Sequence, residues 1–509
     1  MMPMSALLLL LYLIPSDSLE NAVIAKVGRF EISGKDLLES YEFGPAFVKR
    51  EPDPLRKHLQ YMIYERLLAL EAERAHADTT RFVRDRLAAL EEDLSVEELY
   101  KTEILSKVKV SDEETEWGFQ KAKTNLRLRW IYLTDEKAAA RTHDMLVHGV
   151  SFDSLFSNQA FMDSSANSRT METSVLTLEH DNPAFARNLQ HLKSREITPP
   201  IKGVDGYYII RIDAVWQNPL TTETEYATLK VRAGEVIRQM KADKLADAFV
   251  GEQMKAAHPV IKAEGFNIVR ALLAEKGLSR NARIEWKIPA TFMTEAGPQP
   301  ISASGKFLNK PLVAFNHKMF TAGDYAKWFD IRQFQLKTNS LAAFNASVRQ
   351  TIWKMVQDKI LSDEAYSRRL NMQDVVRKET TKWEAKLLYL AERQNIRHSV
   401  SISDSSLREE YEKQKRRFHS TTEKLPTFSE AKMDVWQDLF AREEVNKQFR
   451  ILQRLEKEIP VVVHEEIVQK LSSAVEKDVN PIDVMYYKPG GTYPRIAFPT
   501  IDASWRGSK

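Results

Sequence analysis

The chain says one thing twice. Leu55, Leu59, Met62, Ile63, Leu67, Leu68, Glu71 and Ala72 return as Val348, Ile352, Met355, Val356, Ile360, Leu361, Glu364 and Ala365, at a constant offset of 293. The offset holds where Phe82-Val83-Arg84 becomes Val375-Val376-Arg377 and where Leu94 becomes Leu387. One residue then drops out, and Val108-Lys109-Val110-Ser111-Asp112 returns as Val400-Ser401-Ile402-Ser403-Asp404. Self-similarity over this length means a duplicated structural unit. Apolar residues at i, i+4, i+7 and i+8, as at Leu55, Leu59, Met62 and Ile63, make that unit helical.

Composition narrows the field of functions. Of 509 residues 43% are hydrophobic, enough for sizeable cores, and 74 basic residues nearly balance 71 acidic ones. Without a long basic block, nucleic acid is not an expected partner. The sequence contains no cysteine, which excludes disulfides, thiol catalysis, cysteine-ligated zinc and a cysteine lipid anchor. The run Ala6 to Ile14 is too short to span a bilayer, which takes about 20 residues. Its length suits the apolar part of a secretory signal. Residues 1–18 are therefore expected to be a signal peptide and the protein to be exported to the periplasm, with no stable membrane span.

Both copies open on a hairpin followed by a capped helix. Val23 to Val27 leads through Gly28-Arg29 to Glu31-Ile32, and Ser33 is placed to cap a helix carrying Asp36 in its first turn. Leu312 to Ala314, the Asn316-His317-Lys318 turn, and Phe320 to Asp324 repeat the pattern. Ser111 and Ser403 read as caps of a further helix, with Glu114 as a capping-box partner for the former. A long closing helix ends at Pro259-Val260-Ile261 in the first copy and at Pro460 to Val463 in the second, each run expected to be a short strand. Only the first copy carries residues 123–216 between these helices. Within that insert, Leu126 to Leu133 and Gly206 to Ile212 read as strands, Val175 to Leu178 as a further strand, and Glu136 to Val147, Ser151 to Ala160 and Pro183 to Leu192 as helices. The expected organisation is a first helical unit over 22–122 and 217–275, the insert 123–216, a linker 276–308 with short strands (one at Arg283 to Ile288), a second helical unit 309–472 and an extended tail 473–509. The expected fold class is α+β, mostly helical.

The insert resembles a parvulin-type peptidyl-prolyl isomerase domain. Phe185, Leu192-Lys193, Glu196-Ile197-Thr198-Pro199-Pro200-Ile201 and Gly206-Tyr207-Tyr208-Ile209-Ile210 follow that family's closing pattern. Leu128 to Leu133 matches its opening strand, and Asp163 to Asn167 its Asp-Pro-Ser-Ala loop. The flanking helices resemble the chaperone region of SurA, PpiD and PrsA proteins. The resemblance implies duplicated SurA-like helical chaperone units with one inserted small parvulin-like domain. It implies unfolded or proline-containing polypeptides as partners, and no cofactor and no metal.

The sequence departs from the family at the base of the peptide groove. The family's two facing histidines are replaced by Trp130 and Tyr208, and its glycine pair by Ser168-Arg169-Thr170. Tyr132, Phe185 and Ile210 are the expected lining of the groove. Prolyl isomerisation must overcome an amide barrier of about 18–20 kcal/mol without breaking a covalent bond, by gripping and desolvating a twisted imide. An indole N–H can only donate a hydrogen bond, whereas a tyrosine hydroxyl donates and accepts, so the histidine network is either rebuilt or lost. Three readings follow: an exported folding factor with a weak or inactive isomerase-like domain, an active peptidyl-prolyl cis-trans isomerase, and a dedicated subunit of an envelope assembly.

Overall fold

A computed structural model describes residues 19–162, 169–191, 193–203, 206–219, 222–294, 297–300, 305–414, 427–475 and 499–507. The expected signal peptide and the loop Asp163 to Asn167 lie outside them. The fold is mostly helical α+β, and the chain divides into two compact units, residues 1–98 with 257–509, and residues 99–256.

The first copy runs β1 (Val23–Val27), β2 (Phe30–Ser33), α1 (Gly34–Glu42), α2 (Pro54–Arg74), α3 (Arg81–Glu103) and α4 (Asp112–Lys123). The insert follows as β3 (Thr124–Leu133), α5 (Glu136–Val147), α6 (Phe152–Met162), β4 (Thr170–Ser174), α7 (Val175–Asp181), α8 (Pro183–Leu189), β5 (Ile201–Lys202) and β6 (Tyr207–Gln217). The copy closes with α9 (Glu223–Ala257), β7 (Val260–Ile261) and α10 (Ala263–Gly277). After a hairpin of β8 (Thr291–Thr294) and β9 (Gly297–Pro300), the second copy runs β10 (Pro311–Phe315), β11 (Lys318–Thr321), α11 (Ala322–Arg332), α12 (Leu341–Ser367), α13 (Asp374–His398), α14 (Asp404–Gln414), α15 (Phe428–Glu458), β12 (Val461–Val463) and α16 (Glu465–Val475).

The caps explain where the helices start. Ser33 Oγ accepts from the Asp36 amide while Asp36 accepts from the Ser33 amide, and Thr321 with Asp324 repeats this capping box in the second copy. Ser111 and Glu114 form a third, and Ser403 Oγ accepts from the Ser406 amide. Each box satisfies two backbone or side-chain donors that the first turn would otherwise leave open. The repeat reaches backbone strain as well: His76 and Arg369, one offset apart, both adopt a φ of 58° at the turn after the long helix.

The two copies exchange their closing strands. β12 of the second copy pairs antiparallel with β1 of the first, with Ala25 opposite Val463 and Val27 opposite Val461. β7 of the first copy pairs with β10 of the second, Val313 opposite Ile261. A two-stranded hairpin is marginal on its own, so each copy's hairpin is completed by the other copy. The helices follow suit. α2 packs along α13 in a core that buries Leu55, Leu59, Leu67, Leu387 and Leu388, while Lys359 of α12 pairs with Glu92 of α3 at 2.5 Å.

Buried charges at equivalent places are solved differently. Between α2 and α13, Lys386 Nζ lies 2.8 Å from both carboxylate oxygens of Glu65, and both residues are buried. The repeat puts Asp358 and Asp93 at the same positions, two acids where the other pair is an acid and a lysine, and Lys354, one turn back on the same helix, stands 3.3 Å from Asp358. Arg332, whose side chain is 2% exposed, joins them instead, donating to Asp93 at 2.6 and 2.7 Å and standing 3.6 Å from Asp358.

Three local expectations are corrected. Val175 to Leu178 lies in helix α7, with the strand just before it at Thr170–Ser174; Ser174 caps the helix by accepting from the Thr177 amide. Arg280–Glu285, read in part as β-like, is a short helix capped by Ser279. The tail is not extended throughout: residues 499–507 dock, with Trp505 1% exposed, while 476–498 lie outside the described residues.

Candidate functional site: the base of the inserted sheet

The insert forms a four-stranded sheet in the order β4-β3-β6-β5, so the first and last well-marked strands of the sequence are neighbours at its centre. Their register sets Tyr132 opposite Tyr208 and Trp130 opposite Ile210. Alternation along each strand then puts Leu128, Trp130 and Tyr132 on one face with Tyr208, Ile210 and Ile212. Trp130, Phe185 and Tyr208 pack against one apolar cluster of Leu126, Leu128, Leu178, Ala186, Leu189, Ile201, Ile210 and Ile212.

Tyr208 stands between two further rings. Its centroid lies 5.4 Å from that of Tyr132 and 5.3 Å from that of Phe185, within the range at which aromatic pairs attract. All five expected site residues thus meet at one place. Ile210, at 1% exposed, is beneath the surface and cannot line a groove. Thr198, fully buried, is committed to the backbone: its amide donates to the Ile210 carbonyl at 2.8 Å and its Oγ1 accepts from the Ile210 amide at 2.9 Å.

Two glycines admit these rings. A Cβ on Gly203 would lie 2.5 Å from Tyr208 Cε2, and one on Gly206 would lie 2.6 Å from Tyr132 Cε2 and 2.5 Å from the Leu133 carbonyl oxygen. Gly203→Ala should therefore cost about 1–3 kcal/mol through forced displacement of the Tyr208 ring. A urea unfolding curve checks this, and an unchanged midpoint would show that the ring yields freely.

Sequence reasoning missed Gln159 and the role of Arg169. The Gln159 side chain reaches the backbone of Tyr132, accepting from its amide at 3.3 Å and donating to its carbonyl at 2.9 Å, in place of a neighbouring strand. Arg169 donates to Gln159 Oε1 at 2.6 Å. Arg169 occupies a position where the isomerase family has glycine and is not among the described residues with positive φ. The contact with Gln159 gives it a role that nothing in its spacing announced.

The opposite face of the sheet is a charged clasp. Arg129 pairs with Asp213 and, at 2.8 Å, with Asp153, while Arg211 holds Asp213 at 2.6 Å and Asp153 at 2.9 Å. Arg211 also lies over the Phe152 ring at 4.4 Å and Arg129 over that of Phe156 at 5.1 Å, fastening α6 to the sheet. The Arg211 hydrogen bond holds the Asp153 carboxyl below its ordinary range. Leu176 of α7 anchors the insert on the other side, buried among Phe119, Ala122, Ala233 and Ile237 of α4 and α9.

The arrangement offers aromatic and aliphatic surface and no imidazole. It lacks the pair of histidines on which the parvulin groove is built. Among the described residues no group of three His, Asp or Glu side chains is placed to hold a metal ion.

The architecture is thus a duplicated, strand-exchanged helical scaffold with one small α+β insert. Solved structures similar to parts of it include the peptidylprolyl isomerase PrsA from Bacillus anthracis, 15% identical over 38% of this chain and 96% of that one, with a TM-score of 0.20. A SurA-like chaperone of Campylobacter jejuni is 17% identical over 46% of this chain and 98% of its own, with a TM-score of 0.21. PrsA from Bacillus subtilis is 18% identical over 45% and 93%, with a TM-score of 0.17. No protein-family model and no curated protein matches the sequence.

Proposed function

We propose that this protein is an exported folding factor that binds unfolded polypeptides of the cell envelope, outer-membrane proteins among them, and that its isomerase-like domain binds rather than catalyses. One observation carries the second half of this reading. Where the isomerase family sets hydrogen-bonding histidines, Trp130 and Tyr208 pack with Phe185 onto the apolar cluster of the sheet. A catalyst must bind the twisted imide more tightly than the planar one. Rings packed at a tilt supply apolar contact to both states alike, which gives binding without acceleration.

The first half is supported by the resemblance of the duplicated helices to the chaperone region of SurA, PpiD and PrsA proteins. Export is supported by the apolar run Ala6 to Ile14. Among the described residues no helix is long and apolar enough to cross a membrane.

Two assays test the reading together. The protein should suppress aggregation of a urea-diluted outer-membrane protein at near-stoichiometric ratio. It should accelerate isomerisation of a proline-containing tetrapeptide less than twofold. Catalysis that disappears in a Tyr208→Phe variant would replace this reading with that of an active isomerase.

A further inference from the structure

The docked tail ends in an aromatic box. Trp505 is 1% exposed, and its ring stands against Tyr61 and Tyr64 of α2, Tyr389 of α13 and Phe449 of α15, at centroid distances of 5.6, 5.8, 6.2 and 6.1 Å. The indole Nε1 donates to Glu65 Oε1 at 3.4 Å. Three residues earlier, Asp502 accepts from Arg393 Nη1 at 2.6 Å, and its amide donates to the same Glu65 oxygen at 2.7 Å. Ile501 is 3% exposed beside them.

The repeat shows that the scaffold does not need this box. One offset of 293 places Lys354 at the position of Tyr61, Gln357 at that of Tyr64 and Val96 at that of Tyr389. Helix α12 nonetheless forms with the same buried face, Val348, Ile352, Met355 and Val356 all at 0% exposed. The aromatic lining is an addition to one copy, and a short segment of the same chain, joined to α16 only through residues 476–498, fills it.

We propose that the box is a binding site for a peptide turn carrying a tryptophan three residues after an acidic side chain, and that residues 501–505 occupy it as a resident competitor. This rests on the reading of the protein as a polypeptide binder. Each part of the site addresses one part of such a ligand. The rings take the indole face, Glu65 takes the indole N–H and a backbone amide, and Arg393 takes the carboxylate. Glu65 discriminates tryptophan from phenylalanine, because only the former offers a donor. A segment carried on the same chain meets its site at an effective concentration on the order of millimolar. It is therefore displaced only by a client that binds more tightly or is held by other contacts as well.

The test uses a fluorescent synthetic peptide spanning Pro499 to Lys509 and the full-length chain. A Trp505→Ala chain, whose own tail can no longer fill the box, should bind the peptide at least tenfold more tightly than the unaltered chain, read by anisotropy. Adding Arg393→Ala should weaken that binding about tenfold, and a peptide with Trp505→Phe should bind more weakly than the parent. An Asp502→Lys chain, which keeps the indole but reverses the charge facing Arg393, should show the same gain in smaller measure. Equal, weak binding by the unaltered and both altered chains, with unchanged helical circular dichroism, overturns the proposal. Unfolding of both altered chains also overturns it, since the tail is then an inseparable part of the core. Peptide capture without suppression of client aggregation by any variant leaves the box standing and removes the folding-factor reading. Client suppression without peptide capture does the reverse.

Discussion

A Lys386→Met chain should lose about 3–5 kcal/mol of unfolding free energy, the usual cost of leaving one partner of a buried ion pair alone. Glu65 is 2% exposed and receives the ammonium on both oxygens at 2.8 Å. Removing the lysine strands a carboxylate between α2 and α13, the helices that hold the exchanged copies together. Replacing Glu65 by leucine as well would not repair this, because the Asp502 amide and the Trp505 indole also use that carboxylate as their acceptor. Lys386→Met combined with Glu65→Gln should instead recover at least half of the loss, since an amide oxygen still accepts and no carboxylate is left without its ammonium. Guanidinium unfolding of the two chains measures both values. A single substitution costing under about 1 kcal/mol would show that water reaches the pair.

Stability should also fall steeply with acid, through His58. This side chain is fully buried, with Nε2 2.8 Å from Ser40 Oγ and its ring edge-on to Tyr41 at 5.6 Å. Burial, reinforced by the positive charges of Lys386 and Lys49, pushes its pKa from 6.5 down to about 3. The unfolded chain therefore takes up a proton that the folded chain refuses. The contribution is complete above pH 6.5 and is withdrawn as pH falls toward about 3, at about 1.4 kcal/mol per pH unit within that window. In a His58→Gln chain, whose amide keeps a partner for Ser40, that part of the slope should vanish, leaving only the carboxylates. Melting temperatures from pH 7 to 4 for both chains decide the matter, and parallel profiles would show that the folded state admits the proton.

The helices and their duplication were legible because burial imposes a period. Leu55, Leu59 and Met62, and their counterparts Val348, Ile352 and Met355, are all buried. The cap at Ser33 and the capping box at Ser111 could be read because their chemistry is local. Val175 to Leu178 reads as a strand and is helical, since a four-residue apolar run suits a strand or one helical turn equally. The exchange of strands was hidden for a deeper reason. Val461 to Val463 and Val260-Ile261 have the same apolar β-forming character, so nothing local says which hairpin each completes. Trp130, Tyr132, Phe185, Tyr208 and Ile210, singled out by resemblance, do lie together. Gln159 and Trp505 were not found, because their partners are set by tertiary geometry rather than by spacing.

The exchange has a consequence for synthesis. β1 leaves the ribosome long before its partner β12, since Val27 pairs with Val461 far along the chain. Until Val461 to Val463 have been made, the edge of β1 carries open backbone donors and acceptors, the kind of template onto which other chains add. Pairings so distant along a polypeptide also form slowly, because a long loop must close first. A ribosome that stalls before Val461 would release a product with an uncapped sheet, and such products should be found in aggregates or bound to other cellular chaperones. The protein would thus be a dependent of the very service it is proposed to provide.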